Sequence, residues 1–194
     1  MKLLIIGLLL FLGVHSTRIV AEAWRTRMLS RLGPNGWKIT YSVLSLVGIV
    51  LVSKGYAQAR LDPTVLWGSA VWLRHVAAVL TLVAFVMVAA AYVPRNAIKA
   101  RLRHPMVVGV KVWAFAHLLA NNTLADLLLF GGFLLWAVLS FRAARARDRA
   151  VNAPAPASTL AMTGLTVFVG LLAWVAFAFW AHAALMGVHP FIAR

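Results

Sequence analysis

The chain of 194 residues is 63% hydrophobic, has a mean hydropathy of +0.89, and carries 19 Lys and Arg against 4 acids, a formal net charge of +15. A soluble domain of this length must cover its surface with polar groups, so the composition excludes that class and indicates an integral membrane protein. With no cysteine, disulfides, thiolate metal centres, iron–sulfur clusters and cysteine nucleophiles are excluded as well.

Six apolar segments follow one another, near 3–21, 38–57, 70–92, 105–121, 124–141 and 160–182. Each is compatible with the roughly 20 residues that span a bilayer as a helix. Period-two alternation is absent and the segments are too long for strands. The expected fold is therefore all-α: a six-transmembrane-helix bundle forming one domain over 1–194, with no internal repeat. The fourth and fifth segments are separated by Asn121, Asn122 and Thr123 alone, which predicts a tight helical hairpin.

The basic residues cluster between segments rather than along one helix face, so the charge reads as membrane topology and not as a nucleic-acid surface. Connection one holds Arg25, Arg27, Arg31 and Lys38, connection three Arg95, Lys99, Arg101 and Arg103, and connection five Arg142, Arg145, Arg147 and Arg149. Basic loops stay in the cytoplasm, which puts both termini on the outer face of the membrane. The stretch APAPAS, Ala153 to Ser158, makes 142–159 a cytoplasmic linker region. A cleaved signal peptide is the competing reading of the first segment: Lys2, an apolar Leu3–Leu12 and Ala21-Glu22-Ala23 fit it loosely. Arg18 and Glu22, standing before the cut, argue against it.

Most polar residues then fall at membrane edges. Asp126 is expected within reach of water, Asn121 and Asn122 make the outer turn, and His104 precedes Pro105 at a helix start. His15 and His117 differ. Each lies ~18 Å along its helix from a membrane face, near mid-depth. Ionisable groups there are costly and mark sites. Gly109, Trp113 and His117 share one face, as do Gly7, Phe11, His15 and Arg18. A glycine groove, aromatic walls and a rim cation suit a flat ligand, and two neutral imidazoles suit axial ligation of haem iron, with Arg18 pairing a propionate. The bland alternative is that both histidines are polar glue between helices. His75, His182 and His189 map to the outer edge, where a second metal or quinone site is the functional reading and interfacial placement the bland one.

Three stretches carry a family resemblance: FLGVHSTR (Phe11 to Arg18), AYVPRNAIKARLRHPMVVGVKVWAFAHLLANNTLADLLLFGGF (Ala91 to Phe133) and LMGVHP (Leu185 to Pro190). They resemble NnrU, a bacterial membrane protein family associated with nitrite and nitric oxide reduction. NnrU is in turn similar to plant zeta-carotene isomerase, a membrane enzyme that uses haem b to turn a cis double bond trans. The resemblance implies haem b here, with His15 and His117 at the positions of the two haem histidines. It implies either an isomerase-like activity on an apolar alkene or a nitric oxide-responsive protein. One departure limits the transfer: the plant enzyme's cysteine, three residues before its second haem histidine, is Ala114 here. A thiolate ligand switch is therefore excluded.

Two further classes stay open. Arg103-His104-Pro105 followed by Gly109 looks like the motif of membrane methyltransferases that use S-adenosylmethionine, although no catalytic carboxylate is evident. A non-enzymatic assembly factor for respiratory reductases would use the polar faces for helix packing. Small residues such as Gly131-Gly132 are compatible with a homo-oligomer. No phosphate loop, dinucleotide fingerprint or zinc-protease helix occurs, and no inverted repeat suggests a transporter.

Overall fold

The computed structural model describes residues 1–191. They form helices α1 (Lys2–Val20), α2 (Glu22–Ala59), α3 (Trp72–Tyr92), α4 (Ala97–Leu102), α5 (Pro105–Ala120), α6 (Leu124–Ala150) and α7 (Leu160–Ala176), then a π-helical turn (Phe177–Ala181) and α8 (His182–Met186). No strand occurs among the described residues; one isolated bridge joins Val65 to Thr123.

The all-helical membrane class expected from composition holds. Five helical stretches are long and apolar enough to cross a bilayer: Lys2–Val20, Glu22–Ala59, Trp72–Tyr92, Leu124–Ala150 and Leu160–Met186. The sixth expected span corresponds to α5, which has 16 residues. At 1.5 Å per residue that is roughly 24 Å, short of a hydrocarbon core of roughly 30 Å. Both ends of α5 are set locally. Pro105 occupies the first turn after His104, and Asn121 turns extended at φ −125°.

The connections hold more helix than their charge suggested. The first is helical from Glu22 onward and is broken only at Gly33, whose φ of 69° is a left-handed value that a side chain would strain. Pro34 follows and starts the next stretch. The third contains α4, and α6 runs through the fifth as far as Ala150. Alanine and arginine are good helix formers, so RAARARDRA continues the helix until the APAPAS prolines stop it. The irregular linker is thus 151–159 rather than 142–159.

The chain packs as two compact units: Met1–Trp67 with Asn122–Ser140, and Gly68–Asn121 with the chain from Phe141 onward. In the first unit α1 lies along α2 through glycines. A Cβ on Gly7 would meet the Val52 backbone nitrogen at 2.5 Å, one on Gly48 would meet that of Phe11 at 2.9 Å, and Gly55 abuts the Leu4 backbone. The second unit is built on α3, with Gly109 of α5 against Ala84 and Gly170 of α7 against Val86. Alanines such as Ala84, Ala90, Ala114, Ala116 and Ala137 fill the interior, while Leu9, Leu46, Leu135 and Phe168 face outward. Small residues inside and large apolar ones outside are the pattern of helices packed in lipid.

Buried polar side chains secure the helix ends. Asn96 is fully buried and caps α4 by accepting from the Lys99 N–H at 2.7 Å. Its amide donates to the carbonyls of Ala90 and Val93 at 3.0 and 2.6 Å. In the first unit Thr123 and Asp126 form a reciprocal cap at the start of α6. The Asp126 carboxylate accepts from the Thr123 N–H at 2.9 Å and its hydroxyl at 2.6 Å, and that hydroxyl accepts from the Asp126 N–H at 3.2 Å.

Candidate functional site

His15 sits on α1 in the first unit. Its Nδ1 lies 2.7 Å from the carbonyl of Phe11, one turn earlier, and the two rings stack at 4.2 Å and 28°. A carbonyl only accepts, so Nδ1 carries the proton and Nε2 the lone pair. Tyr41 of α2 lies 5.1 Å from the imidazole, centroid to centroid, and Trp136 of α6 meets it edge-on at 6.0 Å. Phe133 lies 5.7 Å from Phe11. The imidazole is therefore half-buried in an aromatic group drawn from three helices. Two buried polar atoms of this unit have no hydrogen-bond partner among the described residues: the Trp136 indole nitrogen and the hydroxyl of Ser45, one turn beyond Tyr41.

His117 repeats the arrangement on α5 in the second unit. Its Nδ1 lies 2.9 Å from the carbonyl of Trp113, again one turn earlier, and the rings are 5.0 Å apart at 49°. The same reasoning assigns the lone pair to Nε2. The His117 carbonyl accepts from both the backbone N–H of Asn121 at 3.0 Å and its side-chain amide at 2.8 Å, which fixes the end of α5. Gly109 was expected to leave a groove for a flat ligand. Its α-carbon instead faces α3, where a Cβ would meet the Ala84 carbonyl at 3.0 Å, so the glycine serves helix packing.

Arg18, expected to pair with a propionate, is 58% exposed at its side chain, with Nε 3.8 Å from Glu22 Oε2. Asp126 was placed in reach of water. It is buried, because Tyr56 donates to its second carboxylate oxygen while Thr123 occupies the first. Asn122 builds the turn as expected and donates to the Trp67 carbonyl at 2.6 Å. His104 does start α5, and its Nε2 lies 3.0 Å from Asp148 Oδ2, so a carboxylate does stand beside the Arg-His-Pro motif. His182 bonds the Val188 carbonyl at 2.7 Å. Among the described residues no three His, Asp or Glu gather as a non-haem metal centre requires, so the outer histidines form no such site.

Tyr41, Trp136 and Lys111 escaped the sequence reading. The lysine is a lone cation inside an apolar helix, and its Nζ lies over the Phe141 ring at 4.8 Å. Its position alone was signal enough. Trp136 offered none, since an indole in an apolar helix looks like any other large side chain.

An all-helical chain with several bilayer-length apolar helices and polar groups held inside them defines a multi-pass membrane protein. Comparison with known families narrows the class. The chain belongs to the NnrU protein family, whose profile matches residues 3–190. No curated protein and no solved structure matches it.

Proposed function

We propose that this NnrU-family protein binds haem b through His15 and His117 as iron ligands, and acts in nitrite and nitric oxide reduction. The observation carrying the proposal is the shared preparation of the two imidazoles. Each sends Nδ1–H to the carbonyl one turn back, which fixes the ring and directs the Nε2 lone pair outward from the helix, the form in which histidine ligates iron. The orphaned indole N–H of Trp136 beside His15 adds a donor that lacks an acceptor among the described residues. Buried donors are rarely left so, and a carboxylate or other oxygen on a bound group would satisfy it.

When bound, haem supplies Lewis-acid or redox chemistry that no side chain here provides. The chain's own residues hold and orient. Phe11 and Trp113 keep each imidazole in one rotamer by ring contact. Arg18 is the cation assigned to a haem carboxylate, in exchange for its pairing with Glu22. Ala114 is fully buried and offers no ligand, so a thiolate switch has no place in the reaction. The ligand class that fits is a small apolar molecule, an alkene or nitric oxide. In this proposal the site lies in the bacterial inner membrane with both termini periplasmic and α5 as a short sixth span, a topology that the basic connections support.

The test is an absorption spectrum of detergent-purified protein, oxidised and then reduced with dithionite. A Soret band that His15→Ala and His117→Ala each weaken or abolish is the expected result. A colourless preparation from haem-replete cells overturns the proposal and leaves the assembly-factor reading.

A further inference from the structure

The second unit carries a feature that haem ligation does not use. Helix α6 changes character at one point: the apolar run ends at Phe141, and Arg142, Arg145 and Arg149 follow on neighbouring turns. Two adjoining cavities, both shallow and wide open at the surface, share Arg145 and Arg149. The larger runs along α6 alone and is also lined by Phe141, Arg142, Ala143 and Ala146. The other, of about 260 Å³, is lined also by Arg103, Asp148, Asn152 and Ala153. Four guanidiniums thus border the pair of cavities and a single carboxylate faces them.

That carboxylate is already engaged. Asp148 Oδ2 lies 3.0 Å from His104 Nε2 and 3.5 Å from Arg145. Arg103 donates to the Ala153 carbonyl, which pins the linker over the smaller cavity. Arg142 and Arg149 are exposed and have no carboxylate in salt-bridge reach among the described residues. The backbone is unusual at the same place. Two of the three non-glycine residues with positive φ, Arg103 at 63° and Asn152 at 45°, line the smaller cavity. Such conformations cost energy and collect where a site is held in shape.

We infer that Arg103, Arg145 and Arg149 form a binding site for the phosphate of an anionic phospholipid. Guanidinium forks match phosphate oxygens in a bidentate way. Apolar neighbours favour a lipid over free phosphate: Phe141, Ala143 and Ala146 flank the same arginines on α6, so head and acyl chain each meet a suitable surface. Placement at the end of an apolar helix puts the arginines at headgroup depth, where each basic residue adds attraction to anionic lipid.

The experiment is native mass spectrometry of the full-length protein, purified in detergent and supplied with phosphatidylglycerol, phosphatidylcholine or inorganic phosphate. Phosphatidylglycerol retained in preference to phosphatidylcholine is expected, with retention falling about tenfold or more in the Arg145→Gln/Arg149→Gln variant. Asp148→Asn, which removes the one negative charge, should raise retention and stays informative if the double variant fails to fold. Equal retention of both lipids, an unchanged double variant, or no gain in Asp148→Asn overturns the site. Binding of inorganic phosphate without a preference for anionic lipid overturns the assignment to a phospholipid. None of these readouts depends on haem.

Discussion

The Tyr56 hydroxyl of α2 donates to Asp126 Oδ1 of α6 over 2.5 Å, joining residues 70 positions apart within the first unit. The same carboxylate caps α6 through Thr123, so one side chain ties a helix end to a neighbouring helix. Losing one partner of a buried hydrogen bond costs more than losing both, because the remaining group stays desolvated. Tyr56→Phe should therefore lower stability by about 1–2 kcal/mol, and Asp126→Ala by about 2–4 kcal/mol, since three donors lose their acceptor. Unfolding of the detergent-solubilised variants measures both. A double variant no worse than Asp126→Ala would show that the tyrosine acts only through the carboxylate.

Glycine contacts along α1 and α2 lead to a contrast within one helix. Gly7 faces the Leu51–Val52 backbone, whereas nothing lies within 4 Å of a Cβ at Gly13. Alanine at position 7 must push two backbones apart, and overpacking of this kind costs about 1–3 kcal/mol. Gly13→Ala should instead be neutral or stabilising by up to about 1 kcal/mol through helix propensity. Thermal melts of the two variants give the comparison directly, and similar midpoints would contradict the close approach.

The helical class, the helix start at His104-Pro105 and the turn at Asn121–Thr123 were legible because each rests on local chemistry: apolar run length, a proline in a first turn, polar residues between two spans. The continuation of α6 to Ala150 was not. Arginine reads as loop when charge is used for topology, yet RAARARDRA favours helix just as strongly. The half-burial of His15 and His117 against neighbouring rings could be anticipated from depth and spacing. The partners of His15 from other helices could not, because Tyr41 and Trp136 come from helices whose register against α1 depends on packing. Gly109 illustrates the converse error. A glycine one face away from a histidine looked like room for a ligand, but in a bundle of small residues the nearest helix takes that room.

Asn96 is fully buried, and all three of its side-chain hydrogen bonds go to backbone. It joins the end of α3 to the start of α4. Asn96→Ala removes the cap and leaves the buried carbonyl of Ala90 and the part-buried one of Val93 without their donor, for an expected loss of about 2–4 kcal/mol. Asn96→Asp keeps the acceptor for Lys99 but has no amide to donate, and should be nearly as damaging. Expression level and melting temperature report both changes. An Asp variant matching the parent would show that the cap alone matters.

Trp136 gives a prediction whose sign depends on what binds beside His15. Its indole N–H is buried without an acceptor among the described residues, which is a cost to the ligand-free protein. Trp136→Phe removes that donor and keeps most of the ring, so the ligand-free protein should be unchanged or stabilised by up to about 1 kcal/mol. If a haem group supplies the missing acceptor, the same substitution should weaken haem retention severalfold while leaving the Soret position unchanged, because the iron ligands are untouched. His15→Ala would instead alter the spectrum itself. Titrating haem into ligand-free Trp136→Phe and the parent, with melts run in parallel, separates the two effects. A variant that is less stable without haem yet retains haem as well as the parent would mean the indole is there for packing.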